Sequence, residues 1–366
     1  MSKRPQDSVT DWVPEKIGNY RIEKIIGMGG MGAIYRAVQQ PLERTVALKV
    51  LVPTLYNDEE TIARFESEAR AVSLLEHQNI IPIYEYGVAE GKYRFIAMQY
   101  VDGGSLDGLI SPKKYLPFEQ LIDYAKQACR GLRYAHAHGV IHRDIKPSNI
   151  LFDKENVVKL SDFGIAKIFS KSQKITATGM TVGTPEYMSP EQAEDLSVDS
   201  RSDIYSFGIV LYEMVTGKLP FTAENAVAVA YKQIHEMPPP PSSRRKDIPK
   251  RLELIILKAL KKEKAHRYPD VETMLHDLDT VDIDEKVSAP TVSFFSRKKK
   301  AAEKKKAEEE RRITDRREGD RRLRPTGSYR VWSRPFWIET LRTQWLALVA
   351  AGLLAVAFIC HCIFQH

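Results

Sequence analysis

The sequence predicts an α+β fold of two unlike halves, β-rich and then helical, followed by a charged stretch and a C-terminal transmembrane helix. Three observations carry this. Runs with strand character crowd the first 100 residues, helical patterns dominate from about residue 102 to 279, and Trp345–Phe364 is 20 residues without Lys, Arg, Asp or Glu.

The length of 366 residues, 43% of them hydrophobic and 28% charged, suits one large or two modest globular domains. Cys129, Cys360 and Cys362 form neither a CxxC pair nor a zinc spacing, which excludes a disulfide scaffold and points to a reducing compartment. The net charge of +7 is local: residues 297–330 hold 15 Lys/Arg against 7 Asp/Glu, whereas residues 1–296 hold 38 against 40. A nearly neutral main body does not offer a general surface for nucleic acid, and no specific nucleic-acid partner is expected.

In chain order, residues 1–19 form a flexible lead-in. Residues 1–16 are polar, carry Pro5 and Pro14, and lack the apolar core of a secretory signal. Strands are expected at Tyr20–Ile26, Ala33–Val38, Thr45–Val50, Tyr84–Gly87 and Tyr93–Tyr100, with a helix at about Asp58–Glu76 between them. Helices are expected at 117–138, 202–216, 223–235 and 250–260, and Pro238–Pro241 as a stiff extended piece. Strands followed by helices argue for two lobes within one globular region, residues 20–280.

Residues 281–344 read as a charged juxtamembrane linker; RKKKAAEKKKAEEERR suits a solvated helix or a disordered segment. The basic tract fits either contact with anionic lipid heads or a plain solvated linker. Residues 345–364 would span ~30 Å as a helix, the thickness of a bilayer's hydrocarbon. Trp332, Trp337 and Trp345 stand just before it, where interfacial aromatics belong. Basic residues on its N-terminal side place residues 1–340 in the cytoplasm. The expectation is a single-pass, tail-anchored membrane protein.

The chemistry gathers in the globular region. Gly27-Met28-Gly29-Gly30-Met31-Gly32 lacks Cβ atoms where backbone N–H groups would approach phosphate oxygens, although alone it fits a plain glycine turn equally well. A dinucleotide fold would need a helix next and an acid about 20 residues on. Instead Ala33–Val38 alternates like a strand and residues 47–52 hold no carboxylate. Lys49 lies in the apolar run Val46–Val50 and needs anionic partners unless it faces water from an edge. Glu68 shares the apolar stripe of the 58–76 helix, formed by Ile62, Phe65, Ala69, Val72 and Leu75. It is either the partner of Lys49 or a rim residue in solvent. His142-Arg143-Asp144-Ile145-Lys146-Pro147-Ser148-Asn149 is too polar for a packing segment, and Asp162-Phe163-Gly164 follows 18 residues after Asp144. Carboxylates and an amide on neighbouring loops suit a hard divalent cation such as Mg²⁺.

Taken in order, the glycine loop, VALK, a helix glutamate, HRDIKPSN, DFG and GTPEYMSPE resemble the eukaryotic-type (Hanks-type) serine/threonine protein kinases, most closely their bacterial membrane-anchored branch. The resemblance covers about residues 20–280 and implies a bilobal protein-kinase fold with a β-rich N-lobe and a helical C-lobe. It implies ATP and Mg²⁺ as cofactors, with Mn²⁺ as an alternative.

Residue by residue, it implies that Gly27, Gly29 and Gly32 cover the ATP phosphates and that Ile26, Met28, Gly30, Met31 and Ala33 of the same loop also bind ATP. Ile34 and Ala47 would roof the adenine, Gln99 to Val101 would form the hinge, and Met98 would take the gatekeeper place. Lys49, paired with Glu68, would hold the α- and β-phosphates. Asn149 and Asp162 would bind the metal. Asp144 would orient and deprotonate the acceptor hydroxyl while Lys146 neutralises the γ-phosphate. Val72, His142 and Phe163 resemble members of the apolar spine that stacks the lobes. Asp203 resembles the carboxylate anchoring the catalytic loop, and Glu191 the glutamate that pairs with a late arginine, Arg267.

Lys146 and Thr184 fit the serine/threonine class. Ser189 stands where many kinases carry Ala, and Gln99 where Glu is common. Arg143, beside the catalytic Asp144, marks kinases switched by a phosphorylated activation loop, here residues 162–191. Thr176 and Thr178 are the expected autophosphorylation sites, filled between two molecules in a transient dimer. Proteins with Ser/Thr acceptors are the expected substrates, and a bacterial inner membrane the expected location. The competing readings are a catalytically silent kinase-fold scaffold, which intact Lys49, Asp144, Asn149 and Asp162 oppose, and a small-molecule phosphotransferase, which the GTPEYMSPE segment opposes.

Overall fold

The computed structural model of the chain describes residues 14–29, 32–51, 55, 58–163 and 184–285, without the side chains of Glu60, Arg64 and Glu68. The chain divides into two units, Met1–Thr291 and Val292–His366, and every described residue lies in the first. Most of the lead-in, Gly30, Met31, Thr176, Thr178, most of the linker and the apolar run 345–364 therefore lie outside the described residues. No helix of the described residues is long and apolar enough to cross a membrane.

The first half is an antiparallel sheet of β1 (Lys16–Ile17), β2 (Tyr20–Met28), β3 (Gly32–Gln39), β4 (Arg44–Leu51), β5 (Ile83–Ala89) and β6 (Tyr93–Gln99), in the order β1-β2-β3-β4-β6-β5. Side chains alternate between the two faces of a strand, and β4 uses both faces. Val46, Leu48 and Val50 pack with Tyr35, Ala37 and Phe95 on one face. Ala47 and Leu51 pack on the other with Phe65, Ala69, Ile96 and Met98. Lys49 belongs by parity to this second face, the one covered by α1 (Glu59–Ser73). Two register shifts between β2 and β3, at Ile22/Lys24 and Ile25/Gly27, twist the hairpin toward the glycine loop.

Helix α1 starts where Asp58 accepts a hydrogen bond from the Thr61 N–H and buries the stripe Thr61, Phe65, Ala69 and Val72. It is shorter at both ends than the expected Asp58–Glu76.

The second half is built on α2 (Phe118–Ala137), α4 (Ser200–Thr216), α5 (Ala226–His235), α6 (Lys250–Ala259) and α7 (Val271–Asp279), with the short α3 (Pro190–Ala193) ahead of α4. Helix α4 is buried on nearly every side, so it has no polar stripe and serves as the central post of the lobe. Two features add to the sequence reading. Helix α7, only nine residues long, packs on α2 after its Asp270 N-cap. Ile150–Phe152 (β7) pairs with Val158–Leu160 (β8) as a small antiparallel ribbon. Helix α5 begins at Ala226 and not at 223, because Asn225 caps it by accepting from the Ala228 N–H at 2.9 Å. Residues 236–240 are extended, as the proline run requires, before a 3₁₀ turn at Pro241–Ser243.

Candidate active site

The site lies where the sheet meets the β7–β8 ribbon. Strand β4 carries Lys49 to the face under α1, and its Nζ reaches Asp162 Oδ1 at 2.9 Å. The Lys49 charge, outweighing burial, holds the Asp162 carboxyl below its ordinary value. Asp162 itself, two residues past the end of β8, sits at φ 51°, a left-handed conformation unusual for a residue with a Cβ. Whether Glu68 also meets Lys49 falls outside the described side chains.

The glycines differ among themselves. A Cβ on Gly32 would stand 2.4 Å from the Val50 carbonyl oxygen, so strand pairing alone demands glycine there. At Gly27 and Gly29 the nearest atoms are 3.7 and 3.8 Å away, ordinary contact distances. Nothing among the described residues requires those two to lack a side chain. Their lack of a Cβ leaves backbone N–H groups that an approaching phosphate could reach. Ile26 and Met28, the latter 59% exposed, are solvent-facing residues at the end of β2 beside them.

Below the loop, Ala47, Met98, Ile34, Val101 and Leu151 belong to one apolar cluster. Ala47 faces Met98 across β4 and β6, and Gln99 is the last residue of β6. Ala33 is fully buried in the opposite core, so it supports the loop from beneath and does not line the cleft. Leu151 was not among the expected residues. Its signal is the apolar Ile150-Leu151 pair ending the polar HRDIKPSN run, and only the β7–β8 pairing turns Leu151 toward the cluster.

The polar loop is held by Asp203 of α4, which is 0% exposed. Its carboxylate accepts from the backbone N–H groups of His142 at 2.8 Å and Arg143 at 2.7 Å, and lies 2.7 Å from His136 Nε2. Burial alone would raise this carboxyl, but the hydrogen bond and charge of His136 and the backbone N–H of Arg143 hold it below its ordinary value. These bonds fix Arg143 at φ 65°, which swings the following residues into the cleft. Asp144 Oδ2 then meets Lys146 Nζ at 2.9 Å, and Asn149 Nδ2 donates to the Asp144 carbonyl at 2.8 Å and to its Oδ2 at 3.1 Å. His142 is fully buried, and burial lowers its pKa, so the ring is neutral; it packs against Phe163 with centroids 4.3 Å apart and the rings tilted by 31°. Val72 and Phe163 share the large apolar cluster.

Glu191 and Arg267 form a buried bidentate pair at 2.7 and 2.8 Å. Ser189 caps α3 through a capping box with Gln192, whose Nε2 also donates to the Arg143 carbonyl at 2.9 Å. Gln192 therefore ties this segment to the catalytic loop, a link with no signature in the sequence. Arg143 Nε and Nη1 are buried and have no hydrogen-bond partner among the described residues.

The donor set can be tested for a nucleotide–metal complex. Among the described residues no group of three His, Cys, Asp or Glu is placed to hold a metal alone. With the Asn149 amide nitrogen committed to Asp144, its oxygen and the Asp162 carboxylate are the atoms available to a cation. Two protein oxygens suit Mg²⁺, which takes its remaining ligands from phosphates and water. The open glycine turn, one lysine and this pair of oxygens fit ATP with Mg²⁺.

Comparison with known proteins agrees with this geometry. A family model described as "Protein kinase domain" matches residues 20–278. A probable serine/threonine-protein kinase of Clostridium acetobutylicum is 44% identical over 262 residues, covering 72% of this chain and 40% of that protein. Serine/threonine-protein kinase pkn3 of Myxococcus xanthus is 44% identical over 276 residues, covering 73% and 50%. PknB of Mycobacterium leprae is 40% identical over 282 residues, covering 76% and 45%. The chain thus spans half or less of these relatives' own length. The crystal structure of the Mycobacterium tuberculosis PknI kinase domain matches with a TM-score of 0.57 and 26% identity, over 72% of this chain and 96% of that one.

Proposed function

The chain belongs to the protein kinase domain family, in its bacterial serine/threonine type, and from that premise we propose that it transfers the γ-phosphoryl group of ATP, with Mg²⁺, to Ser or Thr hydroxyls of proteins. The observation that carries this is the convergence of two ion pairs, Lys49–Asp162 and Lys146–Asp144, with Asn149 bonded to the second.

Bound MgATP supplies the transferable phosphoryl group and a divalent charge among its oxygens. The protein supplies position and countercharge. Lys49 binds the inner phosphates from the floor of the sheet. Asp162 and the Asn149 amide oxygen present the oxygen ligands. Asp144 accepts the acceptor hydroxyl's hydrogen bond and then its proton on a carboxylate oxygen. Lys146, 2.9 Å away, orients that carboxylate and faces the developing negative charge with N–H donors. The apolar cluster of Ala47, Met98, Ile34, Val101 and Leu151 takes the base.

Purified full-length chain given labelled ATP, Mg²⁺ and dephosphorylated casein should label casein and itself. Lys49→Met should lower the rate about 100-fold or more, and Asp144→Asn by about 10²–10⁴-fold. A wild-type chain that labels no polypeptide rejects the reading.

Regulation and location extend the proposal. Thr176 and Thr178 are phosphorylated by a second copy of the chain in a transient dimer, and the phosphates pair with Arg143. Nε and Nη1 of Arg143, buried and without a hydrogen-bond partner among the described residues, support this, because buried cationic N–H groups without an acceptor call for an anion. Burial already pushes the Arg143 pKa down. Phosphopeptide mapping should find both threonines filled in wild type and empty in Asp144→Asn; equal filling overturns the claim. Residues 345–364 tether the catalytic unit to the cytoplasmic face of a membrane, on the strength of their length and lack of charge.

A further inference from the structure

Helix α5 contributes an amide that none of the roles above uses. Gln233 is 0% exposed, and every polar atom of its side chain is engaged. Its Oε1 accepts from the Tyr205 hydroxyl at 2.7 Å, and its Nε2 donates to the Glu186 carbonyl at 2.6 Å and, at 3.4 Å, to that of Pro185. The Tyr205 oxygen accepts in turn from Lys262 Nζ at 2.9 Å, and Lys262 also donates to the Gln233 carbonyl at 2.6 Å. A continuous polar line thus runs from Lys262 through Tyr205 on α4 to Gln233 on α5, and ends on the backbone of Pro185–Tyr187.

That end point matters for chemistry. Pro185–Tyr187 is a 3₁₀ turn directly after Thr184, and α3 follows it with Gln192 bonded to the Arg143 carbonyl next to Asp144. The turn is therefore held on one flank by the catalytic loop and on the other by Gln233. Because Gln192 ties the segment to the carbonyl of the residue before Asp144, the turn is the neighbouring surface available to a chain presenting its hydroxyl there. The Thr184 and Pro185 carbonyls accept from the Tyr187 and Met188 N–H groups at a long 3.3 Å, whereas the Glu186 carbonyl takes its short bond from Gln233.

We propose that Gln233 is a positioning residue for the protein substrate: through the Glu186 and Pro185 carbonyls it fixes the Thr184–Tyr187 turn against which the acceptor chain docks, without touching ATP or the reacting atoms. This rests on the protein-kinase reading above. It predicts that loss of the amide affects the acceptor's KM and leaves that of ATP alone. A role confined to core stability predicts a lower active fraction with both KM values unchanged.

The test uses the full chain as wild type, Gln233→Leu and Tyr205→Phe, the last removing one hydroxyl and leaving the ring in place. Hydrogen exchange at the Tyr187 and Met188 amides should quicken about tenfold in Gln233→Leu, the size of one buried hydrogen bond, with α4 amides unchanged. The KM for dephosphorylated casein should rise about tenfold in Gln233→Leu and less in Tyr205→Phe, with the KM for ATP within about twofold of wild type. An active wild type whose casein KM is unmoved by Gln233→Leu, or unchanged exchange at Tyr187 and Met188, overturns the inference. A wild type inactive on any polypeptide overturns the kinase reading and with it this role, and the failure appears in the unsubstituted chain.

Discussion

Glu191 and Arg267 are each 3% exposed, and all five N–H donors of Arg267 are used: two on Glu191 and three on the carbonyls of Arg201, Lys261 and Lys262. Breaking one side of such a pair leaves a buried charge, so Glu191→Gln should cost about 3–5 kcal/mol of stability. The pair also sets an acid limit. Burial would raise the Glu191 carboxyl, but the Arg267 hydrogen bonds and charge, with Ser202, hold it below its ordinary value. The unfolded chain takes up its proton near the ordinary value, above the folded one. The contribution is therefore complete at neutral pH and lost as pH falls through that lower value. Melting temperature should decline as the medium is acidified below about pH 5, and decline less steeply in Glu191→Gln. Equal slopes in the two proteins would place the acid sensitivity elsewhere. Both partners could be named from the sequence, whereas the three carbonyls that saturate Arg267 could not, because backbone acceptors carry no residue identity.

At the scale of the element, the β2–β3 hairpin separates structural from ligand-facing glycine. Gly32→Ala would force its Cβ, 2.4 Å from the Val50 oxygen, against strand β4. It should destabilise the fold by about 1–3 kcal/mol. Gly29→Ala meets nothing nearer than 3.8 Å among the described residues and should leave the melting temperature unchanged while raising the KM for ATP. Thermal melts with nucleotide titrations decide this, and equal destabilisation by the two variants contradicts it. The sequence marks all these glycines alike as one motif; strand register distinguishes them. Helix α7 gives a similar lesson. With only nine residues its periodicity is too short to stand out, and it holds its place by packing on α2.

For the whole molecule, the two lobes share one site because Lys49 of the sheet and Asp162 beyond the ribbon meet at 2.9 Å across 113 residues of sequence. The proposed tether adds a second property of the entire chain. Full-length protein should sediment with membranes and resist extraction by high salt, and removal of residues 345–366 should release it in active form. Recovery of the full chain in the soluble fraction would refute the tether.

The order of motifs, the β-then-α division and the identities of Lys49, Asp144, Asn149 and Asp162 were determined by the sequence alone, because a buried charge or a run of polar groups beside apolar ones contradicts ordinary packing and so stands out locally. Tertiary structure decided which partners those groups have. Asp203 could be named from the resemblance, but its hold on His136 and on two backbone N–H groups could not; Leu151 beneath the cleft, Gln192 on the catalytic loop and Gln233 on the Pro185–Tyr187 turn likewise act across long separations, through backbone atoms or shared burial. Such contacts depend on how helices and strands are stacked, and no residue type announces them.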